Sequence, residues 1–291
     1  MGSRKNYGWV FLGLLIISGC LLPDQSLAQI QEGTTSAVET GGPFRGGWWV
    51  KTEWGADYAL MGDVISGMKA WQAVFQSAGI SSTLSVSNWG WQGQFEAGLN
   101  LDQDNALSIE IHQIYCPTES ITRGLGSGNY TYSVAPTLDD VTLNYYRTLF
   151  KGGGFRTYAV IGGGYYHTDV NYYGGTGGLA NGESATFTGD ILGGSLGIGE
   201  EMQISRNVSL GLDFKGLLAA FGQVTSNSLN GYGQVTSAHA PYALGISNAP
   251  GYDPIRGTII DYSVPFAGQD LRYAVVDFSG FTTNLSLVYH F

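Results

Sequence analysis

The sequence predicts an all-β chain, an eight-stranded antiparallel up-and-down transmembrane β-barrel, and three observations carry that prediction. The first is alternation with a period of two in the closing stretch Phe281–Phe291. There Phe291, Tyr289, Leu287, Leu285, Thr283 and Phe281 share one phase, while His290, Val288, Ser286, Asn284 and Thr282 share the other. The second is composition. Charged residues make up only 12% of the 291, about half the usual share, while aromatics reach 13% and there are 45 glycines. A water-facing surface needs more charge than that. A wall with lipid on one side and a crowded interior on the other does not. The third is the sorting of connections into alternating long and short ones along the chain.

Taken in order, residues 1–28 read as a secretory signal. Arg4 and Lys5 precede an apolar run from Trp9 to Leu22, which is short for a helical span of about 20 residues, and Ser26-Leu27-Ala28 offers a cleavage site. A competing reading takes Ile17-Ser18-Gly19-Cys20 as a lipidation site at Cys20. On either reading Cys116 is left alone, so no disulfide framework is expected. Residues 29–43 are small, polar and aperiodic, a flexible periplasmic lead-in, and residues 44–291 form the barrel.

The first strand places Trp48, Val50, Thr52, Trp54, Ala56 and Tyr58 on one face against Trp49, Lys51, Glu53 and Asp57 on the other. A long connection with a helix-compatible piece, Val64 to Phe75, follows. Strand two sets Trp89, Trp91, Phe95, Ala97 and Leu99 against Gln92, Gln94 and Glu96. The polar turn Asp102-Gln103-Asp104-Asn105 leads into strand three, with Leu107, Ile109 and Ile111 against Ser108, Glu110 and His112. Residues 116–136 read as a loop. Strand four then alternates Val141, Leu143, Tyr145 and Leu149 with Thr142, Asn144 and Tyr146, and Arg147 falls in the apolar phase. After Lys151-Gly152-Gly153-Gly154, strand five spans about 155–170 with its facing open, and strand six spans about 186–203. Strand seven turns Val208, Leu210, Leu212 and Phe214 outward against Asp213 and Lys215. The longest loop, about 224–271, holds Pro241, Pro250, Pro254 and Pro265, which a spanning strand does not accommodate; Thr258–Tyr262 within it could form an extra strand or half of a ten-stranded design. Closure of strand eight on strand one would remove the unpaired edges that lipid cannot hydrogen-bond.

This pattern, with the Tyr-Ala-Val-Ile-Gly-Gly-Gly-Tyr segment of strand five and the terminal Asn-Leu-Ser-Leu-Val-Tyr-His-Phe, resembles the small OmpA/OmpX-like outer-membrane β-barrel families. The sequence departs from the OmpA layout in lacking a C-terminal peptidoglycan-binding domain. The resemblance implies residence in the bacterial outer membrane, contact with its lipid and lipopolysaccharide, and an assembly signal at Tyr289 and Phe291 read by the barrel-assembly machinery.

With the apolar faces on lipid, the lumen would hold a polar network of Lys51, Glu53, Asp57, Gln92, Gln94, Glu96, Glu110, His112, Asp213, Lys215 and Asn284. An eight-stranded barrel is just wide enough for side chains to fill it, so a structural plug is the first expectation. A narrow pore gated by Lys51 or Lys215 is the alternative, and the acid surplus would make it prefer cations. The net charge of −10 excludes nucleic acid as a partner. Catalysis is not expected. Ser108 and His112 share a strand face but stand roughly 13 Å apart, too far for a nucleophile and its base. No cofactor, metal ligand set or catalytic residue is read from the sequence. The long outer loops, rich in Tyr, Asn, Ser and Gly, suit adhesion or binding of a surface ligand.

Overall fold

The computed structural model describes residues 47–125, 128–175, 182–231, 234–236, 242–247, 255–259 and 271–291. The expected signal segment, Cys20 and the lead-in lie outside these residues, as does most of the stretch between 248 and 270. Eight antiparallel strands make a closed ring: β1 (Trp48–Ala59), β2 (Trp89–Asn100), β3 (Asn105–Tyr115), β4 (Gly128–Gly152), β5 (Phe155–Gly175), β6 (Gly182–Gln203), β7 (Val208–Leu218) and β8 (Gly280–His290). Each pairs with its neighbour in sequence, and β8 returns to β1 in a register from Trp49 opposite His290 to Ala59 opposite Gly280. Along the lengths these strands share, the ring therefore leaves no open edge.

Short turns gather at one end. Asp102 closes the first by accepting backbone hydrogen bonds from Asp104 at 2.8 Å and Asn105 at 2.9 Å, an Asx-type turn. The second is glycine by necessity, since Gly153 and Gly154 have φ of 60° and 84°. In the third, the Ile204 and Ser205 amides both donate to the Val208 carbonyl. At the same end the Asn207 side chain donates to the His290 carbonyl at 2.6 Å and Phe291 N–H donates to the Trp48 carbonyl at 3.0 Å, which fastens the closing strand.

The long connections lie at the other end and are more structured than their composition suggests. Between β1 and β2 runs helix α1 (Gly62–Ser77), which encloses the expected helical piece. Its buried residues Val64, Ile65, Met68, Trp71 and Phe75 follow helical spacing. The stretch read as a loop over 116–136 instead contains a strand, Glu119–Leu125, hydrogen-bonded to Ser82–Ser85 on one side and to the start of β4 on the other. Strands β4, β5 and β6 are 25, 21 and 22 residues long, so all three outrun their neighbours. Thr258 and Ile259 belong to a short strand, Ile255–Ile259, paired with Tyr242–Ser247, and not to a ninth strand of the ring.

The reason these extensions escape a sequence reading is a reversal of phase. Below position 140 in sequence, towards the long-loop end of β4, the buried residues are Leu138, Val134 and Tyr132, and the outward ones are Asp139, Thr137 and Ser133. Beyond it, Val141, Leu143 and Tyr145 are exposed while Thr142, Asn144 and Tyr146 are buried. The same switch crosses the neighbouring strands in register. The outward row Ile111, Val141, Tyr165, Leu192 is followed by the outward row Gln113, Asp139, His167, Asp190. The ring is thus greasy outside and polar inside at one level, and the reverse above it.

The facing of β5 is settled by size. Tyr158, Val160 and Tyr166 point inward and are buried, leaving Thr157, Ala159, Ile161, Gly163 and Tyr165 outside. Two charges stand on the outer face towards the short-turn end, Glu200 on β6 and Arg147 on β4; the Arg147 guanidinium donates to Asn105 Oδ1 at 2.9 Å. No helix among the described residues is long and apolar enough to cross a membrane, which says nothing of strands.

Candidate functional site

The inward residues of the ring's middle level form one polar network. Lys51 and Glu53 come from β1, Gln92, Gln94 and Glu96 from β2, Glu110 and His112 from β3, Asp213 and Lys215 from β7, and Asn284 from β8, all buried. Alternation alone places them, because each falls in the inward, buried phase of its strand. Lys51 Nζ is the hub. It pairs with Glu53, with Glu96 at 3.0 Å and with Asp213 at 3.7 Å, donates to the Tyr146 hydroxyl at 3.1 Å, and lies 5.2 Å above that ring. Lys215 pairs with Glu110 at 2.8 Å and reaches Glu53 at 4.0 Å. Asn144 donates to Glu96 at 3.2 Å and to Glu110 at 2.9 Å, Tyr146 donates to Glu96 at 2.7 Å, and Ser108 also donates to Glu96. Asn284 donates to Glu53 at 2.9 Å and accepts from Gln92, while Gln94 reaches Glu110 at 3.4 Å.

Of the eleven residues anticipated, ten therefore join by hydrogen bonds or ion pairs, and Asp57 does not. It is fully buried at the long-loop end of β1, and neither of its carboxylate oxygens has a hydrogen-bond partner among the described residues. Several members are not anticipated from sequence. Asp140 takes His112 Nδ1 at 2.8 Å, Tyr158 donates to Asp213 at 2.6 Å, and near the short-turn rim Glu201 joins Arg156 at 2.5 Å and His290 at 2.7 Å. Asp140 escapes because the alternation of strand four is taken from Val141, one residue too late; its inward phase with Thr142 and Asn144 is the available signal. Arg156 and Glu201 lie at strand ends, where alternation has too few residues to show itself.

The network is closed at both levels by apolar side chains. Towards the short turns, Trp49, Tyr146, Tyr158, Val160 and Val288 pack together. Gly98 makes this packing feasible, since a Cβ there would stand 2.1 Å from the Trp49 ring. Towards the long loops, Ile114, Leu138, Tyr166 and Leu217 continue the inward phase of their strands and merge with Trp71 and Met68 of α1 and with Phe221 and Phe278 in a single buried cluster. Around this upper core, Glu119 receives the Ser87 backbone amide on both oxygens at 3.0 and 2.9 Å, and burial pushes its carboxyl up to about 7 against the lowering effect of those bonds. Burial likewise raises the lone thiol of Cys116 above its ordinary value, so it is a poor nucleophile.

His112 Nε2 faces Gln92 Oε1 at 2.5 Å, not a hydroxyl, and Ser108 donates to a carboxylate. Ser209 approaches His290 at 3.4 Å, but on the same Nε2 that engages Glu201, so the pair lacks the relay of a nucleophile, a base and its orienting acid.

No known family's sequence model matches the chain, and no curated protein matches it. Among solved structures it is similar to Neisserial surface protein A, at 9% identity and a TM-score of 0.37 over 84% of this chain and 97% of that one. It is similar also to a major outer membrane protein from Thermus thermophilus, at 13% identity and a TM-score of 0.44 over 84% of this chain and 99% of that one. A third similar structure, Acinetobacter baumannii CarO2, has 13% identity and a TM-score of 0.30 over 73% of this chain and 98% of that one. At these identities and scores the likenesses carry no conclusion about this chain, whose function has to be read from its own geometry.

Proposed function

We propose that the chain is an integral protein of the bacterial outer membrane, an eight-stranded transmembrane β-barrel of the OmpA/OmpX-like kind. Its role on this reading is structural and surface-interacting, carried by the assembly at the long-loop end. The observation that carries the reading is the outward belt: exposed apolar residues run around the ring and stop in register at the row Gln113, Asp139, His167, Asp190. On β6 the belt runs from Leu192 to Ile198, roughly 20 Å of strand at about 3.3 Å per residue or about 15 Å along the axis at the roughly 40° tilt of such strands, and it resumes at Met202 beyond Glu200, towards the short-turn rim. Its upper edge carries the aromatic contacts Tyr58 with Phe281 at 5.1 Å and Tyr58 with Trp89 at 5.2 Å, as an interfacial girdle does. Short turns then face the periplasm, with Tyr289 and Phe291 placed for the barrel-assembly machinery. The long-loop assembly faces outward beside lipopolysaccharide, where a surface ligand would bind.

The filled interior favours a closed barrel over the cation-preferring pore. Heat-modifiable migration in SDS gels, with β-rich circular dichroism in detergent, is the expected behaviour. A chain that folds and stays soluble without detergent would refute the membrane reading. Removing residues 225–270 should abolish surface binding while leaving heat-modifiability intact; unchanged binding would refute the interaction role.

A further inference from the structure

We propose that Glu110, His112 and Asp140 form a binding site for a divalent transition-metal ion at the upper end of the ring's interior. Their ligand atoms lie within 4.8 Å of one another, and all three residues are buried. One imidazole with two carboxylates suits zinc, manganese and their neighbours better than calcium or magnesium, which take oxygen ligands alone. Three protein ligands also leave a coordination position open for water.

The independent observation is an unpartnered buried oxygen at this place. Asp140 meets His112 through Oδ2 at 2.8 Å, but its Oδ1 is buried without a hydrogen-bond partner among the described residues. Glu110 holds Lys215 at 2.8 Å, a contact that a bound ion would replace. Buried carboxylate oxygens without partners are costly, and a divalent ion on Asp140 would remove that cost. His112 Nδ1 faces Asp140 Oδ2 at 2.8 Å and Nε2 faces Gln92 Oε1 at 2.5 Å. A metal ion would bind through the unprotonated Nδ1, any proton there leaving to solvent. Gln92, itself tied to Asn284, then orients the ring from the other nitrogen, as outer partners of metal-bound histidines do. The site depends on the ring's interior and not on what surrounds the ring.

The test uses untagged full-length protein in detergent micelles, stripped with chelator and titrated calorimetrically with Zn²⁺, Mn²⁺ and, as a comparison, Mg²⁺. One equivalent of Zn²⁺ or Mn²⁺ should bind in preference to Mg²⁺, and His112→Ala and Asp140→Asn should each weaken binding by about 10- to 100-fold. Each variant is checked for heat-modifiability, and His112→Gln and Asp140→Ser replace any variant that fails to fold. Asp139→Asn, on the outer face, should change nothing. His167 with Asp190 and Asp169 is the competing surface site, so His167→Ala is titrated alongside. No Zn²⁺ or Mn²⁺ binding, binding undiminished in both interior variants, or binding lost only in His167→Ala would each overturn the proposal.

Discussion

Replacing Lys51 with methionine probes the interior most directly, because the aliphatic stem stays and only the ammonium is lost. Glu53, Glu96 and Asp213 then lose their shared cation, and the Tyr146 hydroxyl loses a donor. At an effective dielectric constant of about 20, the 3.0 Å contact with Glu96 is worth about 5 kcal/mol before desolvation is subtracted. Removing one partner of a buried pair costs about 3–5 kcal/mol in practice, since the remaining charge stays in the interior. Lys51→Met should therefore destabilise the protein by about 3–5 kcal/mol, measured as the shift in urea unfolding in lipid vesicles, followed by the loss of the heat-modifiable band. Adding Glu96→Gln to the same chain should recover part of the loss, because it removes one of the stranded charges. A loss below about 1 kcal/mol, or a double variant weaker than the single one, would refute the assignment of Lys51 as the hub.

Trp71→Ala empties the largest side chain of α1 from the upper core and should cost about 3–5 kcal/mol there, opening residues 61–88 to protease while the ring itself keeps its heat-modifiable migration. Gly98→Val drives a side chain into the Trp49 ring, with an expected loss of about 1–3 kcal/mol and a changed tryptophan spectrum in the near-ultraviolet. Glu119 gives a pH signature. Its folded carboxyl titrates near 7, above its ordinary value, so the folded form binds the extra proton and stability is greatest in acid, falling as pH rises towards 7. Hydrogen exchange of the upper-core amides around Glu119, corrected for the intrinsic pH dependence of exchange, should accelerate over that interval in the wild type and lose that step in Glu119→Gln.

Most of the ring is legible in the sequence because one physical fact, different media on the two faces, writes itself along every strand as a period of two. Lys51, Glu96, Glu110 and Lys215 can be placed inside for the same reason: each alternates with exposed Trp, Ile, Leu or Phe side chains. The legibility stops where the media exchange places. Above the row Gln113, Asp139, His167, Asp190 the outside is polar and the inside apolar, so Tyr132, Val134 and Leu138 look out of phase, and Pro136 suggests a loop. Asp140 sits at that reversal, beside Asp139 on the opposite face, which is why a central partner of His112 escapes the pattern. Asp57 shows the converse limit. Its inward phase is readable, but its lack of a partner depends on which side chains other strands bring to the same level, and alternation along one strand carries no such information.

The central claim is a membrane-spanning ring sealed by its own side chains, and planar-bilayer recording of the purified full-length protein tests it most directly. A quiet membrane is expected at neutral pH across the usual voltages, in the wild type and in the chain trimmed of residues 225–270 alike, since the polar network and the lower apolar layer lie within the ring and, among the described residues of the upper layer, only Leu244 falls in the trimmed stretch. Steady cation-selective steps from the wild type, abolished by Lys51→Ala or Lys215→Ala, would contradict it and establish a gated pore in its place.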